Sequence, residues 1–295
     1  MSTSITTAFV RDYNKDFQAV FQRPGASLRD TVRTKSGVIG KSTTFQLIGK
    51  GTATTKARHG VITPMNQTHA APVCTLEDFY AGDWYDKLDE AKVNHDERMA
   101  IAQGGAFALG RKVDDQILTA LDGTTQSTVT ITVTSAATIR AGVLTWIKAL
   151  FNNDVANDGQ IYGVISPHFD AVLSLVPQYT SSDFVTTKPF TEGTPVRTFR
   201  RWNGVLWTVH TGLTGLGTAT TKGFLYHKSA IGYAAGNLSG NVSDTGGKSL
   251  SADITWHGDR AAHFINHWMS GGSCLIDDTG VIEGNWDERG AIPTS

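Results

Sequence analysis

The chain has 295 residues, 40% of them apolar, and carries 26 Lys and Arg against 27 Asp and Glu for a formal net charge of −1. That length and apolar content can bury a real core in one elaborated domain or two small ones, which excludes a disordered chain. The balanced charge excludes the uncompensated basic excess of a nucleic-acid reader, and no run approaches the ~18 consecutive apolar residues of a membrane-crossing helix.

Phe9, Tyr13, Phe17 and Phe21 recur at every fourth position, stacking four aromatics on one face of a short helix that should stop before Arg23 and Pro24. That face either packs on its own domain or docks on a neighbouring subunit. The opening MSTSITTAFVRDYNKDF has no basic patch followed by an apolar run, so no secretory signal is expected.

Residues 31–75 are punctuated by Gly37, Gly40, Gly49, Gly51 and Gly60 between short β-prone runs such as Thr43–Ile48, TTFQLI. They predict a long two-stranded excursion with too few apolar residues to hold a core of its own, so it must lie on something else. Asp83 can then cap a helix, with Asp86 as a weak acidic capping box. Trp84, Leu88, Ala91, His95, Met99, Ala102, Ala106, Leu109, Val113 and Ile117 follow at spacings of three and four, predicting one long helix to about Leu121, where Asp122 and Gly123 stop it. At ~1.5 Å per residue such a helix would span roughly 57 Å, and Gly104 with Gly105 predicts a bend or a close contact in its middle.

Beyond it, Ser127–Thr134 alternates as a strand and Ala137–Phe151 reads as a second helix. Gln160–Ile165 is a buried strand, and Ser166 and Pro167 cap and open a third helix through Val176. Ser181–Pro195 is turn-rich. Later strands are expected at Val205–His210, Phe224–His227 and Ala252–Trp256, with glycine-rich loops at Gly212–Gly217 and Gly236–Gly247. The order is mixed α and β without the regular alternation of a Rossmann fold or barrel.

Charge is not spread evenly along this order. Residues 31–75 contain Arg33, Lys35, Lys41, Lys50, Lys56 and Arg58 and no acid, a +6 segment. From Leu76 to Glu97 stand Glu77, Asp78, Asp83, Asp86, Asp89, Glu90, Asp96 and Glu97 against Lys87 and Lys92, a −6 segment. Adjacent segments of opposite sign in a neutral chain point to self-complementarity: a surface that binds another copy of the same chain.

Three patterns suggest chemistry. Gly37–Ser42, GVIGKS, ends like a phosphate-binding loop, but Lys35 stands where the motif needs glycine and no strand-to-helix junction surrounds it. His263 and His267, one helical turn apart if helical, could share a metal with His257 or Asp259 as in a metal-dependent hydrolase. They lack the neighbouring glutamate base of a zinc protease, and Trp256, Phe264 and Trp268 favour a packed role. Arg200, Arg201 and Trp202 could stack on single-stranded nucleic acid, although Asn203 and Gly204 read as a hairpin turn. No Gly-x-Ser-x-Gly elbow or Cys-x-x-Cys pair occurs. Cys74 and Cys274, 200 positions apart, favour synthesis in a reducing cytoplasm and leave a single disulfide open. No catalytic residue, cofactor or metal is expected.

The order of arm, basic excursion, long helix, mixed region and return strands resembles the major capsid proteins of tailed bacteriophages, the Hong Kong 97-type fold, most closely its short-tailed phage variety. Asp86–Leu118 resembles the spine helix of that family. Val143–Leu173, and within it Ile161–Leu173 (IYGVISPHFDAVL), resembles part of its axial domain. Leu225–Gly236 and Asp253–Ile282 resemble its closing strands. The resemblance implies an α+β fold with an N-terminal arm at 1–32 and an extended loop at 33–82. A peripheral domain with the spine helix would take 83–134, an axial domain 135–252, and the return to the peripheral domain 253–295. It implies hexamers and pentamers in an icosahedral virion shell around packaged double-stranded DNA, bound without sequence specificity, with synthesis in the bacterial host cytoplasm. A portal and a separate scaffolding protein would be partners, because the chain begins only some thirty residues before the loop. A nonviral compartment shell of the same fold is the alternative. Some members crosslink a loop lysine to an asparagine; Lys41, Lys50 and Lys56 are present, but no partner asparagine or assisting acid can be matched. The interface expected between copies joins Arg33, Lys35, Lys41, Lys50, Lys56 and Arg58 to Asp83, Asp86, Asp89, Glu90, Asp96 and Glu97.

Overall fold

The computed structural model describes residues 25–87, 97–180, 200–237 and 250–293. The aromatic repeat Phe9–Phe21, the stretch Ser181–Pro195 and most of Gly236–Gly247 lie outside them. In chain order the elements are β1 (Arg33–Val38), β2 (Ser42–Thr44), β3 (Leu47–Ile48), β4 (His69–Ala70), β5 (Val73–Thr75), β6 (Glu77–Asp86), α1 (Glu97–Asp122), β7 (Val129–Thr130), α2 (Ala136–Asn152) and β8 (Ile161–Ile165). There follow α3 (Pro167–Leu173), α4 (Pro177–Thr180), β9 (Arg200–Trp202), β10 (Val205–Val209), β11 (Thr221–His227), β12 (Ile231–Gly236), β13 (Leu250–His257), β14 (Ala262–Leu275) and β15 (Val281–Trp286).

Two sheets organise these strands. A six-stranded sheet runs β7-β15-β11-β8-β10-β9, and a five-stranded sheet runs β1-β12-β14-β13 with β6 added on β14. In the six-stranded sheet the two faces bury different partners. Ile161, Ile165 and Leu225 face the core made with α2 and α3, whereas the alternate residues Val164, Phe224 and Tyr226 join the core formed with α1. Sheet and helices thus form layers around two continuous apolar clusters.

The helical signals behave as local chemistry requires. Ser135 and Thr138 form a capping box at the start of α2. Ser166 Oγ accepts from the Phe169 N–H at 3.1 Å ahead of Pro167, opening α3. That helix ends at Leu173, short of the expected Val176, and turns into α4. On α1, Leu109, Val113, Ile117 and Leu121 recur every fourth residue and are all buried, and the helix ends at Asp122 before Gly123 as expected. The close contact expected at its paired glycines is real: a Cβ on Gly105 would lie 2.5 Å from His267 Nδ1, so glycine lets the β14 imidazole pack directly on the helix.

The expected helix start at Asp83 and Trp84 is wrong. Residues 77–86 form the strand β6, whose ladder with β14 runs from Glu77 opposite Gly271 to Asp86 opposite Ala262. That continuous pairing, and aromatics at Phe79, Tyr80, Trp84 and Tyr85 suited to a pleated surface, outweigh the weak helix-capping signal of Asp83. The Ser127–Thr134 strand also shrinks, to Val129–Thr130, after which Ile131 keeps one N–H bond to the Asn285 carbonyl and buries its side chain against Gly142 of α2.

Trp146 shows how tightly the larger core is built. Its indole lies over Gly284, where a Cβ would come 2.8 Å away, and its Nε1–H donates to the Ile282 carbonyl at 3.0 Å. Trp146→Phe removes that buried hydrogen bond and the part of the indole that packs on Gly284. The expected loss is roughly 1–3 kcal/mol in a denaturant-unfolding measurement.

Candidate subunit interface

The basic segment is a projection held at its base. β2 pairs with β5 and β3 with β4, both antiparallel, so the excursion is two-stranded as expected. Phe45 splits the TTFQLI run by turning inward, 3% exposed, into a small core with Val38, Cys74, Leu76, Ala234 and Ile276. The ends of the excursion are tied down, since β1 pairs parallel with β12 and β6 pairs with β14. Beyond β3 and β4 the chain from 50 to 68 has no ladder, and its tip carries Val61, 91% exposed, and Ile62, 71% exposed.

The six basic residues divide into two sets. Arg33 and Lys35 lie on β1, inside the five-stranded sheet. The Arg33 guanidinium sits over the Phe45 ring, 5.6 Å from its centroid, and Lys35 Nζ donates to Thr43 Oγ1 at 2.6 Å. Lys41 lies between β1 and β2, where its carbonyl accepts from the Leu76 N–H. Lys50, Lys56 and Arg58 lie on the exposed projection. Lys56 Nζ donates to the Gly60 carbonyl at 3.3 Å. Lys50 Nζ reaches Asp154 Oδ2 at 2.7 Å within the same chain, just after α2, and its hydrogen bond holds the Asp154 carboxyl below the usual carboxylate range. Both groups of that pair are well exposed, so water and salt screen it strongly.

The acidic residues are less completely described. Asp83 and Asp86 sit on β6, both exposed, and Asp83 Oδ1 accepts from the Trp84 N–H. Glu97 is the first described residue of α1. Asp89, Glu90 and Asp96 lie outside the described residues. The sequence pattern predicts these acids on a helix. Glu77, Asp78, Asp83 and Asp86 instead give an exposed acidic strand, with no lysine or arginine within it, that pairs only with β14 among the described residues. Tyr80 and Trp84 are exposed on the same face as Asp78 and Asp86, and Arg260 stacks over Trp84 at 4.5 Å. The signal that could have found this strand is the density of β-prone aromatics in EDFYAGDWYD.

The three enzymatic patterns come apart in space. Gly37–Ser42 is a strand, a turn and a strand, with Gly37 and Gly40 at positive φ and no helix to follow. His263 and His267 lie on a strand, not a helix, so their Cα atoms stand roughly 13 Å apart at ~3.3 Å per residue. They share the face of β14 turned to α1. His257, opposite Ala262, points to the other face, with Trp84 at 5.0 Å. Among the described residues no group of three metal-type side chains converges. Trp202 is 8% exposed beneath the Asn203–Gly204 hairpin turn and offers no free ring for base stacking. Arg200 is engaged with Asp170 and lies over the Tyr179 ring.

A feature no sequence pattern revealed lies where the N-terminal segment meets α1. Asp114, fully buried on α1, accepts from the Ser27 N–H, Ser27 Oγ and the Leu28 N–H at 3.0–3.2 Å, with His210 Nε2 at 3.4 Å. His210 Nδ1 accepts from the Gly212 N–H, so Nε2 carries the proton directed at the carboxylate.

A long helix across a strand-rich sheet, a second sheet behind it and a projecting basic loop define a shell-building subunit, a class in which interfaces rather than catalytic groups carry function. A family model described as phage capsid protein matches residues 5–288. The chain belongs to the phage capsid protein family and is a structural protein, not an enzyme. Its fold is that of solved phage capsids. The capsid of cyanophage P-SCSP1u is 14% identical, with 97% of this chain and 95% of that chain covered at a TM-score of 0.70. The capsid of Ralstonia phage GP4 is 11% identical, with 100% of both chains covered at a TM-score of 0.70. A Mycobacterium phage Che8 chain is 16% identical, with 96% of this chain and 98% of that chain covered at a TM-score of 0.66. No curated protein matches.

Proposed function

We propose that this chain is the major capsid protein of a tailed phage and closes, through hexamers and pentamers, into an icosahedral shell around double-stranded DNA. The observation that carries the reading is the projection 50–68, basic and apolar at once, which has no ladder and leaves Val61 and Ile62 uncovered by its own chain. The acidic, aromatic-bearing β6 of the adjacent copy is the surface we assign to it. Opposite charge then sets the register and speeds encounter, while Val61 and Ile62 supply the apolar area. A contact between two different patches of the same chain is head-to-tail and forms rings where its rotation closes at five or six copies, and many modest contacts add across a shell.

The division of the chain follows the same reading. Residues 1–32 form an arm, 33–82 the extended loop with its two ends laddered into the five-stranded sheet, and 83–134 the peripheral domain with the long helix. Residues 135–252 are assigned to the axial domain and 253–295 to the return to the periphery, with β12 crossing into the five-stranded sheet and β15 crossing back between β7 and β11 of the six-stranded one. DNA is enclosed without sequence readout, and a portal and a separate scaffolding protein are the partners expected of such a shell. Electron microscopy of the purified protein tests this: rings of five and six or closed particles are expected, and a monodisperse monomer at high concentration would overturn it.

A further inference from the structure

Cys74 and Cys274 meet at the root of the projection. Cys74 on β5 is fully buried and Cys274 on β14 half-buried, and both belong to the small core around Phe45 and Ala234. Cys274 packs against the same small cluster in which Cys74 is buried, which sets the two side chains side by side. Gly272 lets β5 close in, since a Cβ there would collide with the Thr75 carbonyl, and Gly232, the ladder partner of Cys274, makes room for the Phe45 ring. Cys274 is the less buried of the two, and its residue borders a cleft of about 470 Å³ together with Thr75, Glu77, Lys112 and Gln116.

We propose that Cys74 and Cys274 form a modification site, closed to an intrachain disulfide by a small disulfide oxidant such as glutathione disulfide. The Cys274 thiolate, the less buried of the two, attacks one sulfur of the oxidant, forming a mixed disulfide and releasing one glutathione. Cys74 then gives up its proton and attacks Sγ of Cys274, forming the Cys74–Cys274 bond and releasing the second glutathione. Two protein thiols are oxidised as one disulfide is reduced to two thiols. The hydrogen bond from Cys274 holds the Cys74 thiol below its ordinary range against the effect of burial, which suits it to the resolving step. The hydrogen bond with Cys74 and burial push the Cys274 thiol up, so the first step is slow. The bond would bolt the returning limb of the loop to the central strand of the sheet. Its timing rests on the proposed function: thiols free while the shell assembles in a reducing cytoplasm, oxidised after release.

The purified full chain is incubated with excess glutathione disulfide at mildly alkaline pH, then analysed by thiol titration under denaturing conditions, intact mass and non-reducing peptide mapping. Expected are loss of both thiols, a mass lower by two hydrogens, one peptide pair joining residues 74 and 274, and a monomer band on a non-reducing gel. In Cys74→Ser the resolving thiol is gone, and a glutathione adduct on Cys274 accumulates. Two persistent thiols in the native chain, a lasting adduct on it, or a covalent dimer would each overturn the proposal. The thiol readout works on any folded chain, whereas shell formation is read by microscopy, so the two failures are distinguishable.

Discussion

Changing Lys50, Lys56 and Arg58 together to glutamate should leave a folded subunit that no longer builds shells. All three side chains are exposed on a segment without a ladder, and the same-chain partners of the two lysines are the exposed Asp154 and a loop carbonyl, so little folding energy is at stake. The change turns +3 into −3 on the surface that meets β6 of the neighbour, and like charges set face to face cost several kcal/mol per interface. Circular dichroism should report an unchanged fold, while sedimentation and electron microscopy report loss of rings and particles. Higher salt should restore part of the assembly, because charges separated by more than ~8 Å at physiological ionic strength are already largely screened and added salt shortens that range. The triple variant also places a carboxylate at position 50 against Asp154 of the same chain. The double variant Lys56→Glu with Arg58→Glu keeps the native lysine there, so it separates the interface effect from that new repulsion. Normal particles from both variants would refute the charge argument while leaving family membership untouched.

Asp114→Ala should cost about 1–3 kcal/mol of stability for each of the Ser27 and Leu28 N–H groups it leaves without this acceptor in the buried site. The effect should also depend on pH. Burial pushes the Asp114 carboxyl up, but the hydrogen bonds from His210, Leu28 and Ser27 outweigh it and hold the group below the ordinary carboxylate range. A carboxyl with a lower value folded than unfolded adds stability above the unfolded value of about 3.9 and loses it as pH falls through the folded value. The gap between native protein and Asp114→Ala should therefore be full near about pH 7 and shrink below about pH 4, measured as the difference in denaturant midpoints. A gap that stays constant into acid would show that the carboxylate charge contributes nothing at this site.

The parts of this fold written in short-range chemistry are legible in the sequence. Ser135 with Thr138 and Ser166 with Pro167 act over three residues and place the starts of α2 and α3. The period of four along Leu109, Val113, Ile117 and Leu121 marks the buried face of α1. The Asn203–Gly204 turn, with both residues at positive φ, is likewise evident. The failures share a cause. Asp83 and Trp84 carry a plausible helix start, and His263 with His267 a plausible helical pair, but β6 and β14 settle each other as strands through their mutual ladder. A residue spacing of four suits one face of a helix and one face of a strand alike, so local pattern cannot choose between them.

What the chain by itself determined is the segregation of charge, +6 against −6 in adjoining stretches, together with capped helices, buried strand runs and a glycine-punctuated loop too poor in apolar residues to stand alone. Only the tertiary structure decided that Glu77, Asp78, Asp83 and Asp86 ride on a strand, that Asp114 receives the backbone of a residue 87 positions earlier, and that Cys274 packs on the core holding Cys74. Caps, turns and helical stripes arise between residues a few positions apart, whose geometry the backbone itself fixes. Ladders, buried carboxylates and thiol pairs join distant segments, whose meeting depends on how all the layers pack at once.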